Sequence, residues 1–121
     1  MKRDMDLIRL IMLKIEEQPF TSGWIDLDID NYQQEVVAYH VLLLSEAGLI
    51  EAINLSAGSS ISWKPRRLTW EGHEFLDAAR DNNRWNQVKT IMAKFGGFVF
   101  DIGKQVLFEI IKSELRQKQL I

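Results

Sequence analysis

The chain is predicted to fold as an α+β domain, and three observations predict it. A helical stripe of apolar residues runs into Gly48. Two short β-prone runs follow, one on each side of the turn Ser56-Ala57-Gly58-Ser59-Ser60. A second helix then opens at Thr69. Around this helix–hairpin–helix order stand an amino-terminal helix, a short strand and an apolar carboxy-terminal helix.

Residues 4–18 carry Leu7, Ile8, Ile11, Met12 and Ile15 at i, i+3, i+4 spacing, the stripe of an amphipathic helix. Asp4 or Asp6 suits its first turn, and Pro19 ends it. Thr21-Ser22-Gly23 supplies a turn. From Trp24 to Ile29 apolar and polar residues alternate. A half-buried strand is expected there, with Ile25, Leu27 and Ile29 inward and Asp26 and Asp28 in water. Asp30 or Asn31 is placed to cap the next helix, with Gln34 as the capping-box partner of Asn31. In that helix Val36, Val37, His40, Val41, Leu43, Leu44 and Ala47 share the inward face. Gln34, Glu35, Ala38, Leu42, Ser45 and Glu46 share the outward one, with Tyr39 at the border. Gly48 is expected to take the left-handed stop.

Leu49 to Leu55 and Ile61 to Lys64 read as the arms of a hairpin, with Pro65 stopping the second arm. Thr69 caps the following helix, and Glu71 and Glu74 suit its positive end. Phe75, Leu76 and Ala79 pack inward. This helix either ends near Asn82-Asn83 or continues through Trp85, Val88, Met92 and Phe95, and Gly96-Gly97 breaks it. From Val99 to Leu120, Ile102, Val106 and Ile110 recur every four residues, with Phe100, Leu107 and Ile111 widening the stripe. That is more apolar surface than one terminal helix needs. Either it closes the core of the first helix, or Ile102, Val106, Leu107, Ile110 and Ile111 pair with a second copy in a homodimer. The expected organisation is a main domain over residues 1–83 and a helical extension over 84–121.

At 121 residues the chain is long enough for one domain that buries about two-thirds of its surface. The absence of cysteine excludes disulfides, thiolate zinc sites and a cysteine nucleophile. The opening MKRDMDLIRLIMLKIEE is charged throughout, unlike a signal or transit peptide. Ile91 to Ile111 is interrupted by Lys94, Asp101, Lys104 and Glu109, so no membrane span is expected and a cytoplasmic location fits. Net charge is −2, but unevenly spread. Asp26, Asp28 and Asp30 lie close together, whereas residues 58–70 of the hairpin region carry Lys64, Arg66 and Arg67 and no acid. Bases also dominate beyond Arg84. Such regions steer a phosphate backbone, although the carboxy-terminal set reads more simply as a solvated helix face.

Chemistry is sparse. His40 lies in the middle of an apolar face, the place of a hydrogen-bonded core histidine. His73-Glu74-Phe75-Leu76-Asp77 resembles a zinc-binding HExxH but ends in Asp, and no further ligand is suggested, so no metal is expected. No phosphate-cradling glycine loop is present, and nothing assembles a nucleophile, a base and an orienting group. Neither an enzyme nor a cofactor is expected. Trp24, Trp63, Trp70 and Trp85 could stack on bases, but buried anchoring is the commoner use. Trp63 stands apart beside Lys64, Arg66 and Arg67.

The pieces EVVAYHVLLLSEAGLIEA and LTWEGHEFLDAARDNNRW, with the opening MKRDMDLIR, resemble a family of small uncharacterised bacterial and prophage proteins, a domain of unknown function. The pattern MKRDMDLIRxI…YHxxLLxxAGLI…LTxEGHEFLDxxR covers most of the chain through Trp85. The resemblance implies a prophage setting and supplies no catalytic residue. At the level of fold, AGLI–hairpin–LTxxG is similar to winged-helix transcriptional regulators. That implies a winged-helix-like domain with the helix before Gly48 in the major groove of DNA and the hairpin wing on the backbone. The chain departs from that pattern in two ways. A turn and strand at 19–30 leave little room for the usual preceding helix, and the outward face of the 31–47 helix has no Lys or Arg.

Two functions follow. In the first, a dimeric protein binds double-stranded DNA. Gln33 and Gln34 approach adenine edges, while Trp63, Lys64, Arg66 and Arg67, aided by Lys2 and Arg3, hold phosphates. In the alternative, the domain binds a protein partner through Tyr39, Leu42 and Glu46 and takes no nucleic acid.

Overall fold

Asp4 opens the first helix. Its Oδ1 accepts the Leu7 amide at 3.1 Å, and α1 runs over Met5–Glu17. The computed structural model describes residues 1–19 and 23–121. The turn expected at Thr21-Ser22-Gly23 falls outside the described residues except for Gly23. Within α1 the stripe is fully used: Met5, Leu7, Ile8, Ile11, Met12 and Ile15 are all buried. Each such side chain contributes roughly 1.5–3 kcal/mol relative to exposure, an upper estimate because unfolded chains already bury some surface.

Next come α2 (Gln34–Glu46), β1 (Ile50–Asn54), β2 (Trp63–Leu68), α3 (Trp70–Ala79), α4 (Asn82–Ala93) and α5 (Phe100–Gln117), which makes the chain α+β. It falls into two compact units, Met1–Glu74 and Phe75–Ile121, with the boundary inside α3. In the first unit α1 packs on α2 and β2, and α2 packs on both strands of the antiparallel hairpin. In the second, α4 packs on α5.

The hairpin closes through the Ala57–Ser60 bridge, where Gly58 takes φ +59°. Gly48 adopts φ +74° and ends α2 as expected. The start of α3 is stitched to that stop. The Thr69 hydroxyl accepts the Gly72 amide at 3.1 Å and donates to the Gly48 carbonyl at 2.6 Å. The Thr69 amide donates to Leu49 O at 3.0 Å. Gly72 approaches so closely that a Cβ there would strike the Leu49 carbonyl. In the second unit Asp81 caps α4 by accepting the Arg84 amide at 2.9 Å, so α3 and α4 are separate helices.

Four expectations need correction. The segment Trp24–Ile29 is not a strand, although Ile29 is buried and Asp26 and Asp28 are exposed as its alternation required. It makes one backbone bond to the hairpin, from Ile25 N–H to Pro65 O at 2.7 Å. An antiparallel pair of this type exchanges two bonds, and proline has no N–H to return. The second correction is that Pro65 does not stop the second arm: β2 runs through it to Leu68. Its missing donor faces away from β1, so no rung of the β1–β2 ladder is lost.

The third correction concerns the α2 start. Asn31 takes φ 71° instead of capping, and Gln33 is the N-cap without a side-chain bond. The fourth concerns its faces: Ala38 is buried and Ala47 exposed, because the hairpin packs beside the Ala38 side of the helix. Tryptophan anchoring is also narrower than expected. Trp85 is buried, but Trp70 is 76% exposed and Trp24 37%.

Candidate functional site

The three hairpin bases each face an acid. Lys64 pairs with Asp26. Arg66 pairs with Glu51, and its guanidinium stands 5.3 Å from the centre of the Trp24 ring. Arg67 Nε donates to Glu51 Oε2 at 2.9 Å, and its Nη1 to Leu68 O at 3.1 Å. The doubling on Glu51 follows from register. Glu51 is opposite Arg67 and Ala52 is opposite Pro65, so Arg66 is the extra residue of a bulge. Two arginines therefore meet one carboxylate. With Asp26 and Glu51 counted, the cluster carries a net charge of +1 where the bases alone carry +3.

Of the other expected DNA contacts, Gln34 alone lines a groove with hairpin residues. Gln33 is exposed at the start of α2, and Lys2 and Arg3 are exposed at the amino terminus. Gln34 joins Trp63 and Lys64 around a groove of 390 Å³, lined also by residues 26–28, Ile61, Ser62, Val37 and Ala38. Gln34 Nε2 reaches Leu27 O across one end at 3.5 Å.

The outward face of α2 has a different character. At 100° per residue, Glu35, Tyr39, Leu42 and Glu46 fall within an arc of about 60°. Glu35 and Glu46 are exposed, and Tyr39 and Leu42 are half-buried between them. The alternative contact residues Tyr39, Leu42 and Glu46 are thus brought together, and Glu35 joins them. α2 itself contributes no Lys or Arg to this face.

His40 is fully buried and serves the fold. Its Nε2 accepts the Asp4 amide at 2.9 Å, and its Nδ1 donates to Val36 O at 2.8 Å. Those bonds need a neutral ring protonated at Nδ1. The Tyr32 hydroxyl donates to Asp4 Oδ2 at 3.2 Å. Partial burial, and then the Asp4 charge and hydrogen bond, push the Tyr32 pKa above its ordinary value. His73 is exposed, and among the described residues no group of three His, Asp or Glu is placed to hold a metal.

In the second unit the expected pairing stripe divides. Leu107 is fully buried, so it belongs to the chain's own core and offers nothing to a second copy. Ile102 is 53% exposed, while Val106, Ile110 and Ile111 are half-buried.

Residues 2–98 match the family described as hypothetical protein DUF2513. The chain belongs to this family. It is also 44% identical, over 117 residues, to an uncharacterised protein of Haemophilus influenzae, a match covering 95% of this chain and 99% of that one. No solved structure matches it. The family match reaches past Trp85, where the sequence pattern fades, to Phe98.

Five of the pattern residues serve the fold in this chain. Asp4 and His40 lock α1 to α2; Gly48, Thr69 and Gly72 stitch α3 to the hairpin. The partners Asp26 and Glu51 were missed by sequence reasoning. Counting outward from the Gly58-Ser59 turn places Glu51 opposite the arginines, a usable signal. Nothing in the sequence places Asp26 beside Lys64, 38 residues away.

Proposed function

We propose that the protein is a non-catalytic, winged-helix-like interaction module that takes a protein partner on the outward face of α2. The winged-helix-like reading draws on the order helix, extended segment, helix, hairpin, helix, and on the alignment of residues 24–26 with 64–66. The single observation that carries the functional reading is the chemistry of that face. Tyr39 and Leu42 offer an apolar centre, Glu35 and Glu46 flank it, and α2 itself carries no Lys or Arg. An apolar anchor flanked by lysine or arginine is the matching partner chemistry.

The DNA reading comes second. It rests on the hairpin bases and on Gln33 and Gln34. Duplex affinity comes largely from neutralising phosphates, and here Lys64, Arg66 and Arg67 already spend their charge on Asp26 and Glu51.

Affinity capture with the full chain tests the choice, comparing wild type with Leu42→Asp and Glu46→Arg. The proposal expects a partner that both variants lose while thermal unfolding of Glu46→Arg stays unchanged. Retention of the partner by both variants sinks it. Low-salt duplex binding that falls steeply with added salt, and vanishes in an Arg66→Ala/Arg67→Ala double variant, would move the function to the hairpin.

A further inference from the structure

The alignment of residues 24–26 with 64–66 breaks off at a definite place. Trp24 meets Arg66, Ile25 meets Pro65 and Asp26 meets Lys64, in antiparallel order. One rung further on, Leu27 would face Trp63 and exchange two backbone bonds with it. No such bond is present. The direction of the Trp63 backbone follows from its neighbours. In an antiparallel strand the N–H and C=O of one residue point to the same edge, and successive residues alternate edges. Ser62 O accepts the Leu55 amide at 2.7 Å, so Ser62 faces β1, whereas Pro65 O accepts from Ile25 and faces away. Trp63, next to Ser62 and two before Pro65, therefore turns its N–H and C=O away from β1, toward the groove.

We infer that this groove accepts a short extended peptide as an added strand against Trp63, with a lysine or arginine of the peptide beside Asp28. A strand edge with an unused donor and acceptor supplies main-chain affinity, and alternate side chains of the guest supply selectivity. Val37, Ala38 and Trp63 form the apolar lining for one set of those side chains. Charge decides the other set. Asp26 is paired with Lys64, while Asp28 is exposed and has no ion-pair partner among the described residues. The groove thus presents one uncompensated carboxylate. Its 390 Å³ lies at the small end of the roughly 300–1,000 Å³ range of ligand sites, which suits a segment of a few residues. The site is separate from the outward face of α2, since Leu42 does not line it.

The experiment uses the full chain and a capped heptapeptide of alternating valine and threonine with one central lysine. Two control peptides carry glutamate at the centre, or N-methyl groups on alternate amides. Hydrogen exchange followed by NMR reads the Trp63 amide, and titration reads affinity. The expected result is fast exchange at Trp63 in the free protein, slowed at least tenfold by the lysine peptide. Affinity should fall at least tenfold for either control peptide and for Asp28→Lys. A Trp63 amide already protected in the free protein would overturn the inference, because the chain would then close on itself at Leu27. Equal affinity for the lysine and glutamate peptides, or undiminished binding of the N-methylated one, would also overturn it. So would shifts confined to Glu35, Tyr39, Leu42 and Glu46. Failure here leaves the α2 proposal standing, since Leu42→Asp and Glu46→Arg test that one alone.

Discussion

Over thirteen residues α1 buries Met5, Leu7, Ile8, Ile11, Met12 and Ile15; over eighteen, α5 buries only Gly103 and Leu107. Both helices advertise an apolar stripe at helical spacing. In α1 the stripe is spent on α2 and β2. In α5 much of it stays in contact with water, with Ile102 53% exposed and Val106, Ile110 and Ile111 half-buried. Periodicity therefore states what a helix can bury, and the neighbouring elements decide how much of that is realised.

Three measurements sharpen or break this contrast. The largest effect is expected from paired truncations read by denaturant unfolding. Ile11→Ala should cost roughly 2–5 kcal/mol, as deletions in a packed core do. Ile102→Ala should stay within about 0.5 kcal/mol, the range for surface changes. Equal costs at the two sites would mean that α5 is covered in solution.

A middle-sized effect is expected at Gly103, one of the two buried positions of α5. A Cβ there would strike the ring of Phe98. Gly103→Ala should destabilise by about 1 kcal/mol, the low end of overpacking, because the ring can turn aside. A neutral or stabilising result would show that helix propensity outweighs that contact.

The smallest effect concerns the start of α1. Tyr32 holds its proton more tightly in the folded state than in the unfolded chain, because burial and Asp4 disfavour the phenolate. That contribution is complete below the unfolded pKa of about 10 and is lost as pH rises through the folded value. Tyr32→Phe should therefore flatten the fall in stability above about pH 10, measured as the melting temperature against pH. An unchanged alkaline slope would remove Tyr32 from the α1 lock.

The contrast also marks how far the sequence could be read. The amino-terminal stripe, the Gly48 stop, the hairpin turn and the Thr69 cap were legible because each is set by residues within a few positions. The failures are non-local. Whether residues 24–29 become a strand depends on Pro65, some forty positions away in a different element, and Pro65 alone does not say which way its missing donor points. Ala38 reads as outward on a helical wheel until the hairpin is laid beside it. The candidate site fared similarly. Tyr39, Leu42 and Glu46 share a face, as helical geometry required, but the charge of Lys64, Arg66 and Arg67 could not be judged without Asp26 and Glu51.

Pro65 also bears on how this protein behaves when crowded. A hairpin with a bare outer edge is a template on which further chains can align without limit. At Pro65 that edge offers an acceptor with no donor, and the Ile25 amide already occupies it. Copies cannot zip along β2 past Pro65, the residue that also limits any incoming strand to a few rungs beside Trp63.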